Sequence, residues 1–425
     1  MAHHTVRSGF SQLADRLNRF PQGAPPGPTL FKLLRVLMSE REAELISLLP
    51  IRPFKAETAA RAWNMPLAQA QSKLDELAGR ALLLDILGEQ GYQYVLPPPM
   101  AGFFEFSLMR LRNDLDQHLL SELFYQYLNV EEDFIRSLFI GGETQMGRIF
   151  VQEPMLPTTN TLTVLDYERA SHIIRTARHI GVGMCYCRHK MSHIGQACNA
   201  PMNICMTFGN TADSLIRHEY ARRIDAAECL DLLAQAYEHG LVQFGENAQE
   251  NVSFLCNCCG CCCEAMQAAR RFAILNPIHT TNFLPTLTPE ACTGCGKCIS
   301  ACPVEAMSLV SAHDPLRPQA RKAHLNVETC LGCGVCVRSC PHNALKLEQR
   351  PQRVITPVNG AHRIVLMAIE RGNLQNLIFD QQALASHRAM AAILGVILRL
   401  PPAKQILANK QIKSRYLAAL LDKAN

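Results

Sequence analysis

The sequence predicts an α+β, multidomain protein whose cysteines hold metal, and three observations carry that expectation. The chain has 425 residues, 48% of them apolar, enough for several domains with buried cores. Its 19 cysteines all fall between Cys185 and Cys340, and all but Cys229 stand in tight groups. Helix-like periodicity fills the first third and the C-terminus, with mixed helix and strand patterns between them. Lys plus Arg number 42 against 37 Asp plus Glu, an excess too mild and scattered to imply nucleic acid. The first residues lack the apolar core of a secretory signal. No stretch approaches the ~20 uninterrupted apolar residues that cross a bilayer; Ala389 to Leu400 is about half that, between Arg388 and Arg399. The expectation is a soluble, cytoplasmic protein with metal-held thiols rather than a secreted disulfide scaffold.

Residues 1–29 read as an amphipathic helix (Phe10, Leu13, Leu17 and Phe20 against Arg7, Arg16 and Arg19) and a Pro-rich linker from Pro21 to Pro28. A docking helix suits this length better than a membrane-surface one. Residues 30–100 form the next module. Leu30 to Leu49 reads as one helix, Thr58 to Trp63 and Leu67 to Leu77 as two more around the turn Asn64-Met65-Pro66. Leu82 to Ile86 and Tyr92 to Leu96 read as strands around Gly88-Glu-Gln-Gly91. That order is winged-helix-like, and such modules often read DNA. Charge argues against it: four basic residues (Lys55, Arg61, Lys73, Arg80) face five acidic ones (Glu57, Asp75, Glu76, Asp85, Glu89), with Lys73 and Arg80 set beside Asp75 and Glu76.

Residues 101–284 read as a cysteine-rich α/β central domain. It opens with helix over 103–140. It continues with a helix from Tyr167 to Ile180 capped by Asp166, and one from Asp225 to His239 opened by a capping box with Glu228. Leu241 to Phe244 and Val252 to Leu255 are candidate strands. Cys229 lies among Ala227, Leu230 and Leu233 and reads as a core residue. Residues 351–425 form a helical C-terminal region interrupted at Pro401 and Pro402.

Residues 285–350 carry an internal repeat. Cys292-Thr-Gly-Cys295-Gly-Lys-Cys298-Ile-Ser-Ala-Cys302-Pro303 recurs 38 residues later as Cys330-Leu-Gly-Cys333-Gly-Val-Cys336-Val-Arg-Ser-Cys340-Pro341, and nine of 18 positions match across 292–309 and 330–347. Each copy is the C-x2-C-x2-C-x3-C-P run of bacterial two-cluster ferredoxins. Glycines at 294, 296, 332 and 334 let three thiolates wrap one corner of a cubane, while the fourth cysteine points to the other cluster. Two [4Fe–4S] clusters are therefore expected, one held by Cys292, Cys295, Cys298 and Cys340, the other by Cys330, Cys333, Cys336 and Cys302. From Thr286 to Arg350 basic residues outnumber acidic ones, seven to five. Arg317, Arg321 and Lys322 would suit an acidic partner such as a ferredoxin or flavodoxin.

Ten further cysteines lie within 79 residues: Cys185, Cys187, Cys198 and Cys205, then Cys256, Cys258, Cys259, Cys261, Cys262 and Cys263. Bare thiolates at that density repel or oxidise, so the pattern implies a soft metal or a cluster. The first four could complete one cubane and the second group another, or the two groups could share a larger cluster. Zinc with some inert thiols is the alternative. In an extended segment Cys259, Cys261 and Cys263 share one face and Cys256, Cys258 and Cys262 the other, unless Gly260 turns the chain. Arg188, His189, Lys190 and His193 stand where they could offset thiolate charge or donate to sulfur. A chain folding back across the helix near 225–239 would bring the two groups into one cavity.

These motifs resemble those of bacterial 4Fe-4S binding proteins with an N-terminal winged-helix-like region and a C-terminal two-cluster ferredoxin domain. The resemblance runs through Phe20-Pro-Gln-Gly-Ala-Pro25, Ser39-Glu-Arg-Glu-Ala-Glu-Leu45, Leu49-Pro-Ile-Arg-Pro-Phe54, Gly102-Phe-Phe-Glu-Phe106, Cys185-Tyr-Cys187-Arg188 and Phe254 to Cys263. It covers roughly residues 15–350 and implies iron–sulfur electron transfer in anaerobic metabolism, with no settled activity. The functional expectation is an electron carrier at roughly −400 mV or the electron-feeding subunit of an oxidoreductase. A reductase with a catalytic central cluster is the second possibility. Cys258-Cys259 is similar to heterodisulfide-reductase modules, although their full C…CC…C-x2-C pattern is absent. A redox-sensing winged-helix regulator is the third. No G-x-G-x-x-G follows a strand and no G-x4-G-K-[ST] occurs, so no nucleotide site is expected.

Overall fold

The computed structural model describes residues 8–88, 91–140, 142–156, 164–271 and 279–399. It divides into two compact units, Met1–Thr144 with Asn210–Ala221 and Gly360–Asn425, and Gln145–Gly209 with Arg222–Asn359.

In the first unit, helix Gly9–Leu17 buries Phe10, Leu13 and Leu17. The single helix expected over Leu30 to Leu49 is two helices, Pro28–Leu37 and Glu40–Ser47. Met38 is extended, and Ser39 caps the second helix in a reciprocal box: Glu42 N donates to Ser39 Oγ (3.3 Å) while Ser39 N donates to Glu42 Oε2 (2.8 Å). Helices Ala56–Trp63 and Leu67–Gly79 follow, joined through left-handed Asn64. Strands β1 (Leu84–Gly88) and β2 (Gly91–Val95) pair antiparallel; Glu89 and Gln90 of the expected turn lie outside the described residues. Trp63 Nε1 donates to Leu45 O at 2.8 Å. The helical region expected over 103–140 is broken into short pieces, Phe104–Phe106, Gln117–Tyr125, Gln126–Val130 and Asp133–Phe139. Gln117 donates to the carbonyls of Ser107 and Arg110, which no helix satisfies. Helices Gly360–Glu370, Leu374–Ile378 and Ala385–Arg399 close the unit; the break expected at Pro401 and Pro402 lies outside the described residues.

The second unit is built on a six-stranded antiparallel sheet. Its strands are β3 (Gly147–Phe150), β4 (Ile180–Met184), β5 (Asn203–Phe208), β6 (Arg222–Arg223), β7 (Val242–Glu246) and β8 (Phe254–Cys258), ordered β3-β7-β8-β5-β4-β6. Residues alternate across it. Val182, Met206, Phe208 and Leu255 point into a core with Ile173, Ile174, Cys229 and Leu233 from helices Ala170–Thr176 and Ala226–Glu238. Burying each such aliphatic side chain contributes about 1.5–3 kcal/mol. Cys205, Cys256 and Cys258 alternate onto the other face. The helix expected to run to Ile180 stops at Thr176, because Ile180 and Val182 are spent on β4, and it opens after Arg169 rather than Asp166. Asp225 caps its helix as expected (Glu228 N to Asp225 Oδ1, 2.8 Å), but the Glu228 carboxylate turns to Arg222 instead of closing the box.

The repeats fold around two hairpin-like pairs, β9 (Phe283–Leu287) with β12 (Leu345–Gln349) and β10 (Met307–Ser311) with β11 (Arg321–Leu325). Helices Lys297–Ala301 and Val335–Arg338 each start behind a left-handed glycine, Gly296 (φ 76°) and Gly334 (φ 89°). A Cβ at Gly294 would lie 2.3 Å from Arg321 O, and at Gly332 2.1 Å from Phe283 O, so these loops accept only glycine. Among the described residues no helix is long and apolar enough to cross a membrane.

Candidate metal centres

In the repeat region the cysteines line two cavities. Cys292, Cys295, Cys298 and Cys340 line one, with Leu287, Leu309 and Leu345. Cys302, Cys330, Cys333 and Cys336 line the other, with Met307 and Leu331. Each cavity thus takes three thiols from one repeat and the last from the other. Backbone amides reach the sulfurs: Ala323 N to Cys292 Sγ at 3.5 Å, Ala306 N to Cys302 Sγ at 3.2 Å and Gly332 N to Cys330 Sγ at 3.4 Å. Thiols, apolar walls and inward amides fit a cubane of inorganic sulfide.

The two cavities differ in exposure. Cys295 is exposed, and the Lys297 backbone amide holds its thiol below the ordinary range. Cys330, Cys333 and Cys336 are buried, and burial pushes the Cys333 thiol up to about 12. Arg350 stands at this inner set, donating to Cys330 O (2.7 Å) and Thr281 O (2.9 Å).

The ten central cysteines fall into two contact sets, which divide otherwise than by sequence proximity. Six form one set. The Cys187 sulfur contacts Cys185 and Cys263, Cys258 contacts Cys256 and Cys263, and Cys256 contacts Cys205. The elements explain this. The register Met206↔Leu255 puts Cys205 beside Cys256 across β5 and β8. A register shift at Gly183/Met184 ends β4, and Cys185 leads into helix Tyr186–His193, which carries Cys187. Cys263 opens helix Glu264–Arg271, where Cys187 and Cys258, aided by the Met266 and Ala265 amides, hold its thiol well below the ordinary range.

The other four, Cys198, Cys259, Cys261 and Cys262, form a separate set with all sulfurs within 4.8 Å of one another. Strand β8 ends at Cys258, so the alternation expected through Cys263 stops there. The turn at Gly260 swings Cys259, Cys261 and Cys262 toward Cys198. A Cβ on Gly260 would meet Pro303 O at 2.9 Å, so this turn packs against the residue after Cys302. Arg270 fixes it from both sides, donating to Gly260 O (3.1 Å) and pairing with Glu305 (2.5 Å).

Of the four basic residues singled out by sequence, Arg188 stands between the two sets. It is wholly buried; it donates to Pro201 O (2.9 Å) and Asn257 O (2.7 Å), and its side chain contacts Cys198. Burial would lower its pKa, but the neighbouring Cys185 and Cys259 sulfurs overcome that and raise it. Lys190 instead pairs with buried Glu264, clamping the Cys187 helix to the helix behind Cys263. His189 Nε2 lies 3.2 Å from His193 Nε2. Sequence reasoning missed Asn257 and Glu264. Asn257, alternating with Cys256 and Cys258, donates to Ile204 O (2.9 Å) and accepts from Gln243 (3.1 Å), pinning the strand. Its signal was that alternation; Glu264 gave none beyond following Cys263.

No curated protein and no solved structure matches the chain. Residues 291–344 match the 4Fe-4S dicluster domain family, a span that contains all eight cysteines of the two repeats. The cofactors of this segment are [4Fe–4S] clusters, and the chain is an iron–sulfur protein.

Proposed function

We propose that the protein is a low-potential electron carrier, or the electron-feeding subunit of a redox enzyme, with crossed ligation in the repeat region and at least one further iron–sulfur cluster in the central region. In this reading Cys292, Cys295, Cys298 and Cys340 hold the outer cluster and Cys302, Cys330, Cys333 and Cys336 the inner one. The observation that carries the reading is the exchange of one cysteine between the two cavities. Bound clusters supply one-electron transfer near −400 mV. The chain's part is to hold them, to exclude water from the inner set and to leave the outer set open at Cys295 for a partner. That partner is a ferredoxin, a flavodoxin or an oxidoreductase subunit with an acidic face, met by exposed Arg321.

The six-thiol set is the seat of the further cluster. Its sulfurs come from both cysteine groups, and Lys190–Glu264 locks the helix that carries Cys187 to the helix that Cys263 precedes. The N-terminal region serves as a winged-helix-like docking module rather than a DNA reader. Lys73 pairs with Glu42 (3.0 Å) and Glu76 (2.9 Å), and Arg80 pairs with Glu42 (2.6 Å), so the cations of the second helix are already neutralised.

Iron and sulfide analysis with EPR on anaerobically purified protein tests this reading. More than about eight irons per chain, falling in a Cys185→Ser, Cys187→Ser double variant, supports it. About eight irons, unchanged in that variant, removes the central cluster from the account. Salt-dependent, sequence-selective retardation of a promoter fragment by the full chain would overturn the docking role.

A further inference from the structure

The remaining four thiols differ from every other set in spacing. Cys198 and Cys259 sulfurs are 3.6 Å apart, Cys261 and Cys262 3.7 Å, and Cys262 and Cys198 3.9 Å. A tetrahedral ion with metal–sulfur bonds of about 2.3 Å sets its four sulfurs about 3.8 Å apart. A cubane cannot do this. Its irons stand off from a common centre, so its four thiolates lie roughly 6 Å apart. The repeat region supplies the internal comparison. Among the described residues, neither of its four-cysteine sets has even three sulfurs within 4.8 Å of one another, whereas all four here do.

We infer that Cys198, Cys259, Cys261 and Cys262 bind a single zinc ion as a closed tetrathiolate site. The donor set consists of sulfur alone, which suits a thiophilic ion without redox chemistry and leaves no open position for substrate. A zinc tetrathiolate carries a net charge of about −2, and the chain meets it with the buried Arg188 guanidinium, which touches Cys198 and has no carboxylate partner among the described residues. The role is structural. The ion fixes the turn 259–262, which Gly260 packs against Pro303 and Arg270 ties to Glu305. Zinc thereby sets the central cysteine region against the inner cavity of the repeat region, inside one compact unit.

The inference builds on the proposed division of the ten thiols but is tested separately from the iron content of the six-thiol set. Metal analysis of the full-length holoprotein purified anaerobically should give about one zinc per chain. Cys198→Ser should lose that zinc and keep its iron, while Cys185→Ser with Cys187→Ser should lose iron and keep zinc. Zinc-edge X-ray absorption on the wild-type protein, which needs no variant to fold, should show four sulfurs at about 2.3 Å and no iron neighbour. Loss of iron from Cys198→Ser, whether one atom or several, overturns the inference. So does a zinc site with nitrogen or oxygen ligands, or a holoprotein without zinc.

Discussion

The two compact units differ in what surrounds their buried charges. In the first, each buried carboxylate finds cations. Glu42 takes Lys73 and Arg80, and Asp85 takes Arg217, His218 (3.1 Å) and the Ser214 hydroxyl (2.6 Å). In the second, Lys190 has Glu264, but Arg188 is bonded to carbonyls and touched by sulfurs, with two sets of thiols beside it. Protein groups alone close the first network, whereas in the second the proposed metals would close it by turning the thiols into a fixed negative charge. If the proposed metal sites are filled, the fold of the second unit is expected to depend on metal and that of the first is not.

The largest effect expected is on metal removal. Stripping iron and zinc by oxidation and chelation should abolish hydrogen-exchange protection of β4, β5 and β8 while helices Gly9–Leu17 and Glu40–Ser47 keep theirs. A structural tetrathiolate zinc alone contributes about 10 kcal/mol or more of folding energy. Loss of protection in both units together, or in neither, would break the comparison. Next in size is Arg188→Met. It removes a buried charge with two carbonyl acceptors and the counter-charge to the sulfurs, so unfolding stability of the holoprotein should drop by about 3–5 kcal/mol. Arg188→Lys should not restore it, since an ammonium cannot span both carbonyls. Denaturant unfolding with metal analysis at each step reads both changes.

The same contrast explains what the sequence disclosed. The repeat region was legible because its chemistry is local. Three cysteines and two glycines within seven residues define a loop, and the second copy shows that the loop is meant. Its strands were not read from the sequence, although Leu345 and Leu347 alternate with Lys346 and Glu348 on the strand that pairs with Phe283–Leu287. The central region was legible only as a density of thiols. Which thiol meets which depends on a strand register, on the shift at Gly183/Met184 and on where β8 ends, none of which is written near Cys198. In the first unit the helix order was readable, but Glu42 was not read as the partner of Lys73 and Arg80, because it lies 31 and 38 residues away from them. Asp75, the nearer candidate, is occupied by Tyr94 and Gln71.

Glu42 gives the third test, of intermediate size. Burial would raise its carboxyl, but the Ser39 backbone amide, Lys73 and Arg80 outweigh burial and hold it at about 2, against an ordinary 4.5. A depressed carboxylate contributes stability that is present above its unfolded value and lost as pH falls toward its folded one. With solvent screening, the contribution at neutral pH is about 1–2 kcal/mol. Glu42→Gln should therefore destabilise the first unit by that amount at pH 7 and by almost nothing near pH 2. Trp63 is the sole tryptophan and is buried in this unit, so its fluorescence reports the unit without interference from metal loss elsewhere. A difference that stays constant over that range would show that Glu42 does not carry the network.

The smallest effect is the sharpest control on the second unit, because it concerns the one thiol assigned to packing. Cys229 sits on helix Ala226–Glu238 and is fully buried among Ile173, Leu233 and Leu255, on the sheet face away from Cys205, Cys256 and Cys258. Burial pushes its thiol up to about 12, so it remains protonated and behaves as a small apolar side chain. Cys229→Ala removes only the sulfur and should cost about 1 kcal/mol, comparable to deleting one buried methylene. Zinc and iron per chain and the EPR spectrum should be unchanged. If iron or zinc fell with Cys229 absent, thiols on the core face would also ligate metal. The division between a packing thiol and the metal-binding ones would then fail.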